Sequence, residues 1–379
     1  MTQRHGNHEP STSELRHDWL TDRWVIIAPQ RTERPDDFAG SAPVSTSIAD
    51  SHDSCPFCRG HENETPPPLA VYPARPSADS GSSWLVRVVP NKFPAVNGVD
   101  SLRFVNVAGV SGIPVLTASP GSTAANHNQA HKPSIDLFQA RQVNGAHEVI
   151  IESPLHLCSL TQLDRQTANL TFLAYRDRLL HWSNCIDIAY AVVFKNVGQD
   201  AGASLVHTHS QLIATNVLPT DVRRAVERMQ LFQQTEQTCL FCRMLEDELS
   251  EKVRVVAETE EFVAFCPFAS RLPSLLTVMP RHHASSFETS SDESVEQLAW
   301  LVHRLLRSIE VCYPQAAYNY VLHTAPQGLR NSNAFHWRLE IFPRLTRMAG
   351  FEWGSDCFIN PLPPETAAQR LRNQRLDNL

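Results

Sequence analysis

Val206-His207-Thr208-His209-Ser210-Gln211-Leu212 alternates in character, and Phe335-His336-Trp337-Arg338-Leu339-Glu340-Ile341 repeats its frame further along the chain. Working outward, each stretch is preceded by an apolar strand, a histidine, a helix and a second strand. Leu275-Leu276-Thr277-Val278-Met279-Pro280-Arg281-His282-His283 matches Val149-Ile150-Ile151-Glu152-Ser153-Pro154-Leu155-His156. Each series is led by a cysteine pair, Cys55-Pro56-Phe57-Cys58 and Cys239-Leu240-Phe241-Cys242. The same order twice is the mark of an internal duplication. Apolar runs predict strands at 24–28, 84–89, 149–152, 190–194, 205–214 and 318–322, with a turn at 198–202. A helix is expected over 161–183, with Thr161 as its N-cap and Leu163, Leu170, Leu173 and Leu180 facing the core. A second is expected over 291–312, with Leu298, Leu301, Val302, Leu305 and Ile309 on one face. A linking helix is expected at 217–237. The fold class is therefore α+β, with two fused units, each an antiparallel sheet carrying packed helices. The expected divisions are a polar tail at 1–14, a first unit at 15–216 and a second at 217–379. Residues 95–145, rich in Ser, Gly, Ala and Asn and containing His127 and His131, read as an insertion.

The 379 residues carry 42% hydrophobic and 19% charged side chains, enough for one large or two ordinary domains. A net charge of −7 argues against nucleic-acid binding through a basic surface. No apolar run has the length of a membrane span, and the first residues lack the apolar core of a signal peptide. A cytoplasmic location is the expectation. Nine cysteines, four of them in Cys-x-x-Cys pairs, then point to metal before disulfide.

Two thiolates and two imidazoles complete a tetrahedral zinc site without an open position, which is the structural type. Cys55, Cys58, His156 and His207 form the first set. Cys239, Cys242, His336 and one of His282 and His283 form the second, with His283 preferred because it directly precedes the lead into the helix. Fifty residues separate His156 from His207 and fifty-two separate His283 from His336, so the sets are equivalent in spacing. The competing reading is buried thiols and unrelated histidines. On a strand, His207, His209 and Gln211 share one face. With His207 holding the metal, His209 is free to attack phosphorus as a neutral imidazole. Gln211 can then donate to a non-bridging oxygen. The alternative is that both histidines are ligands, or that His209 is a core residue. The second half offers an internal control: the ligand persists as His336, whereas the other two positions are Arg338 and Glu340.

These residues resemble the histidine-triad superfamily, and within it the galactose-1-phosphate uridylyltransferase family. The family's His-x-His-x-Gln is present at His207, His209 and Gln211, and its Ser-Pro-x-His at Ser153 to His156. The resemblance implies two histidine-triad-like units, with His209 and Gln211 catalytic. It implies nucleotide contacts from Arg31, Arg34, Asn91, Phe93, Phe194, Asn196, Gly202 and Ser204. It also implies a homodimer in which Phe351 and Glu352 reach the partner's sugar site. The expected activity is uridylyl transfer between UDP-glucose and a hexose 1-phosphate, through a nucleotidyl-histidine. Two departures bear on the substrate. Ser204-Leu205-Val206 stands where the familiar enzymes have Asn-Pro, and the second cysteine set looks like that of the plant ADP-sugar phosphorylases. Phosphorolysis of an ADP-sugar is therefore the alternative, and a zinc scaffold without catalysis the alternative from another class.

Overall fold

The computed structural model describes residues 12–33, 54–73, 84–99, 102–104 and 137–374. Arg34 and most of the 95–145 insertion, with His127 and His131, lie outside the described residues.

The chain opens with the antiparallel pair β1 (Glu14–Asp18) and β2 (Arg23–Ile27). The first half continues with β3 (Ala70–Pro73), β4 (Trp84–Pro90), β5 (Gly145–Ile151), α1 (Arg165–Ser183), β6 (Tyr190–Val197) and β7 (His209–Thr215). Helices α2 (Thr220–Glu236) and α3 (Leu240–Glu251) follow. The second half repeats the series as β8 (Val255–Glu258), β9 (Phe262–Phe265), β10 (Leu276–Pro280), α4 (Asp292–Cys312), β11 (Tyr318–His323) and β12 (Arg338–Pro343). The chain ends in α5 (Gly350–Ser355), β13 (Phe358–Asn360) and α6 (Pro364–Arg372).

The spatial order is β3-β4-β5-β7-β6 followed by β11-β12-β10-β9-β8. Read from each outer edge inward, the two sets of five strands have the same order. They meet where β6 and β11 pair antiparallel, with Lys195 opposite Tyr320 and Phe194 opposite Val321, so the two sheets are continuous. Helices α1 and α4 cover one face of this sheet. Phe172, Tyr175, Leu179 and Trp182 from α1 meet Leu298, Leu301, Val302, Leu305 and Ile309 from α4 over Val193, Leu212, Tyr320 and Leu339. Burying each such side chain contributes about 1.5–3 kcal/mol. The opposite face carries His209 and Gln211 of β7 and Arg338 and Glu340 of β12, alternate to the helix-facing Leu212, Leu339 and Ile341.

Helix α4 starts where its chemistry dictates. Ser291 accepts from the Ser294 amide, and Asp292 and Glu293 sit on the positive end of the helix. Helix α1 corrects the expected start at Thr161. Its N-cap is Asp164, which accepts from the Thr167 amide at 2.7 Å. Residues Leu160–Gln162 form a separate short turn closed by Ser159 and Gln162, so Thr161 belongs to that turn. Leu163 is buried as expected, but Leu180 is exposed, because α1 turns its Phe172–Trp182 stripe toward the sheet. The strand expected at 205–214 begins only at His209, and the strand expected at 190–194 runs on to Val197 and so includes Asn196. A second sheet is built from β1, β2 and β13, with β13 parallel to β2. It joins the beginning of the described chain to its end, and the buried Asn360 fixes the joint by donating to the Ser270 carbonyl. Among the described residues, no helix is long and apolar enough to cross a membrane.

Candidate active site

The loop carrying Cys55 and Cys58 lies against the end of β5 and the start of β7. Its two sulfurs meet His156 and His207, with all four ligand atoms within 4.8 Å of one another. Cys58 Sγ is 3.3 Å from His156 Nδ1 and 3.6 Å from His207 Nδ1, and Cys55 Sγ is 3.5 Å from His207 Nδ1. A tetrahedral ion with S and N bonds of about 2.3 and 2.0 Å requires S···N edges of about 3.5 Å. The donor set therefore fits such an ion. His207 Nε2 donates to the Ser153 carbonyl at 2.9 Å, which fixes the ring with Nδ1 toward the sulfurs. Burial lowers the His207 pKa to about 4, the neutral form a ligand needs. Burial and the neighbouring Cys55 push the Cys58 thiol up to about 12, a cost that a divalent cation between the sulfurs removes.

His207 does not lie on the strand. It sits in the bend before β7, where the Thr208 amide bonds to the Leu157 carbonyl. It reaches the cysteines through that bend, whereas His209 and Gln211 are alternate residues of β7 and face away from the helix-covered side that takes Leu212. The two histidines thus take different directions. His209 is buried, and its Nδ1 donates to the His207 carbonyl at 2.8 Å. That bond leaves the lone pair on Nε2. Burial lowers the His209 pKa, against the hydrogen bond to His207, which favours the neutral ring. Phe57, between the two cysteines, packs edge-on against both imidazoles at 5.3 and 5.9 Å.

Of the other expected residues, Phe194 and Asn196 share this face. Phe194 lies opposite Gln211 in the β6–β7 register. Asn196 Oδ1 accepts from Asn319 Nδ2 at 2.8 Å, so a residue of the second half holds it. Beyond it, Gly198 and Gly202 adopt φ of +83° and +85° around a short helical turn. At Gly198 a Cβ would come within 2.8 Å of the Ala317 side chain, so only glycine lets the loop fold back there. Ser204 is exposed at the loop's end. Asn91 leads from β4, with its Oδ1 accepting from the Phe93 amide, and Phe93 is exposed. Arg31 is exposed on the turn after β2. Phe351 and Glu352 stand apart on α5, where the Glu352 carboxylate accepts from the Ala349 amide.

Compared with known proteins, residues 121–379 match a family described as a domain of unknown function, DUF4921. The chain is 33% identical over 371 residues to an ADP-glucose phosphorylase of Arabidopsis thaliana, covering 97% of this chain and 95% of that one. It is 25% identical over 372 residues to a galactose-1-phosphate uridylyltransferase of Thermotoga maritima, covering 96% and 99%. A crystal structure of an Arabidopsis thaliana ADP-glucose phosphorylase with bound ADP-glucose has the same fold. Its TM-score is 0.73 at 30% identity, over 96% of this chain and 99% of that one. The chain belongs to the galactose-1-phosphate uridylyltransferase family. It is a nucleotidyltransferase, as the named members are.

In this transferase the second half repeats the two-cysteine, two-histidine cluster but not the His209 and Gln211 pair. Cys239, at the N-cap of α3, and Cys242, in its first turn, gather with His283 and His336. Cys242 Sγ lies 3.4 Å from His283 Nδ1 and 3.6 Å from His336 Nδ1. His283, rather than His282, is in the cluster. At the positions of His209 and Gln211, Arg338 Nε donates to Glu340 at 2.8 Å. Burial opposes the Glu340 charge, but Arg338 and its neighbours outweigh it and hold the pKa near 2. This ion pair lines a cavity of about 750 Å³, together with Arg271, His323, Tyr190 and Phe241.

Two groups of this site escaped the sequence reading. Glu152 and Lys195 are fully buried and paired at 2.5 Å beneath the start of β7. Lys195 also donates to the His209 carbonyl at 2.9 Å. An acid and a lysine inside otherwise apolar strands were the available signal. The second is His147 on β5, whose Nε2 lies 2.8 Å from Gln211 Oε1.

Proposed function

We propose that the protein transfers a nucleotidyl group from a nucleoside-diphosphate sugar through a covalent intermediate on His209. The observation carrying this reading is the division of labour between the two histidines: His207 turns Nδ1 to the cysteines, and His209 keeps Nε2 free by donating from Nδ1. The Nε2 lone pair attacks the α-phosphorus, and the bond to the bridging oxygen breaks. Sugar 1-phosphate leaves with that electron pair. As a phosphate, it needs no strong general acid. The proton stays on Nδ1, donated to the His207 carbonyl, which orients the ring throughout. Gln211 donates to a non-bridging oxygen as its charge builds. An acceptor phosphate oxygen then attacks phosphorus from the vacated side and releases His209. Two half-reactions imply ping-pong kinetics.

Adenylyl transfer from an ADP-sugar to inorganic phosphate is the favoured form, supported by the 33% identity to the plant phosphorylase along nearly the whole of both chains. Uridylyl transfer from UDP-glucose to a hexose 1-phosphate is the second reading, supported by the full-length match to the Thermotoga enzyme. Turnover on ADP-glucose and UDP-glucose, each with phosphate and with galactose 1-phosphate as acceptor, decides between them. No turnover and no label on the protein with either donor would leave the zinc scaffold.

Both four-ligand clusters are proposed to hold structural zinc, with residues 15–216 forming the catalytic unit and 217–379 its non-catalytic copy. Zinc bound there would cross-link the Cys-x-x-Cys segments to the sheet. Elemental analysis should find about two zinc ions per chain after gel filtration. A content near zero in chelator-free buffer would remove both sites, and a content near one would remove one of them. Cys58→Ser should lose one ion and lower the melting temperature, because metal binding is coupled to folding.

The active form is proposed to be a homodimer, with the half-exposed Phe351 serving the partner's sugar site. Phe351→Asp should weaken sugar handling while His209 is still labelled. Full activity from a species that light scattering shows to be monomeric would exclude the shared site.

A further inference from the structure

His147 sits on β5 across from the nucleophile strand, half-buried, with three polar contacts. Its Nδ1 accepts from the Ala95 amide at 3.2 Å. A ring nitrogen that accepts from a backbone N–H carries no proton. In the neutral imidazole the proton must then be on Nε2. Nε2 lies 2.8 Å from Gln211 Oε1, so His147 donates and the Gln211 oxygen accepts. Burial lowers the His147 pKa, against the Gln211 hydrogen bond, which keeps the ring neutral. Asn91 Nδ2, also a donor, lies 3.2 Å from the same Nε2 and makes no hydrogen bond to it in this tautomer; its own Oδ1 accepts from the Phe93 amide.

The consequence falls on Gln211. A carboxamide can present either end to a substrate, and only the NH₂ end stabilises charge on a phosphate oxygen. With its oxygen engaged by His147, Gln211 has its NH₂ group left for the substrate side.

We infer that His147 is a positioning residue: held by the Ala95 amide in the Nε2–H tautomer, it fixes Gln211 with its NH₂ donor toward the reacting phosphate. The inference rests on the covalent mechanism proposed above and assigns a role to a residue outside the motif that carries it. The segment from Asn91 to Ala95 thereby sets the orientation of a group on β7.

The test is single-turnover labelling of His209 by whichever of ADP-glucose and UDP-glucose labels the wild-type protein, quenched and read by mass spectrometry. His147→Leu should slow labelling by about 10- to 100-fold, the scale of a lost oxyanion donor, with KM changed less than about threefold. His147→Gln, which can still donate to the Gln211 oxygen, should recover most of the rate. In a Gln211→Ala background, His147→Leu should cost less than about twofold, because the group it positions is gone. Long-range proton–nitrogen spectra of the wild-type protein should show His147 as the Nε2–H tautomer. Ala95→Pro, which deletes the amide donor without touching the ring, should shift that tautomer and slow labelling. An Nδ1–H tautomer in the wild type would overturn the inference, as would equal losses in the two backgrounds or a His147→Leu protein with an unchanged rate. Absence of label on His209 in the wild type would instead sink the covalent mechanism, and the tautomer spectrum keeps the two failures apart.

Discussion

Replacing His209 by Ala should abolish nucleotidyl transfer while leaving metal content and melting temperature close to the wild-type values. The two neighbouring histidines differ in what they hold. His207 contacts both cysteine sulfurs and is anchored by the Ser153 carbonyl, so His207→Ala removes a ligand and should lose metal and stability together. The His209 ring makes one hydrogen bond to a backbone carbonyl and an edge contact with Phe57, and contacts neither cysteine sulfur through a hydrogen bond. Removing it leaves the cluster intact but takes away the atom that would bond to phosphorus. A loss of at least about a thousandfold is expected, since no other described group stands where a nucleophile is needed. Gln211→Ala should fall between, at about a hundredfold or more, the cost of one donor to a charged transition state. Incubation of each variant with labelled ADP-glucose or UDP-glucose, followed by peptide mapping, reads the outcome. Label on wild type at a residue other than His209, or normal turnover by His209→Ala, would overturn the mechanism.

What could be read from the sequence was local chemistry and its repetition. Cys55 and Cys58, His156 and His207 are separated in sequence, but each sits in a short motif whose partner in the second half has the same spacing, and the clusters assemble as those spacings imply. The register of the sheet could not be read in that way. The β6–β11 pairing that makes the sheets continuous, and the parallel pairing of β13 with β2, join segments far apart in sequence and leave no local pattern. The alternation argument also placed His207 on the face of His209 and Gln211. The bend before β7 breaks that period, because the His207 ring and the Thr208 amide are taken by the Ser153 and Leu157 carbonyls. Helix α1 shows the same limit. Leu180 fits an apolar stripe on paper, but Tyr175 and Trp182 are drawn inward by polar partners, Glu152 and Glu148, that only the fold brings near.

The second large effect is expected from Lys195. Its ammonium lies in the interior and is matched by three oxygens: Glu152 Oε2, Thr208 Oγ1 at 2.9 Å and the His209 carbonyl. Glu152 in turn accepts from Thr208, Ser210 and Tyr175 at 2.6, 2.5 and 2.8 Å. Burial opposes the charge on both members. For Glu152, Lys195 and the two hydroxyls outweigh burial and hold the carboxyl below its ordinary range. Lys195→Met fills similar space but leaves a carboxylate without its counter-charge, which costs about 3–5 kcal/mol when one partner of a buried pair is removed. The damage should come from the unpaired charge rather than from lost packing. Adding Glu152→Gln to Lys195→Met should therefore recover a large part of the loss, since a neutral amide can still accept from Ser210 and Tyr175. Activity should fall with Lys195→Met beyond what stability explains, because the ammonium also holds the backbone carbonyl of His209. Denaturant midpoints for the single and double variants, with labelling of His209 measured well below those midpoints, separate the two effects. A Lys195→Met protein within about 1 kcal/mol of wild type would show that the pair is no more than a weak surface-type bridge. A double variant less stable than the single would show that the hydroxyl network, and not the charge, carries the energy.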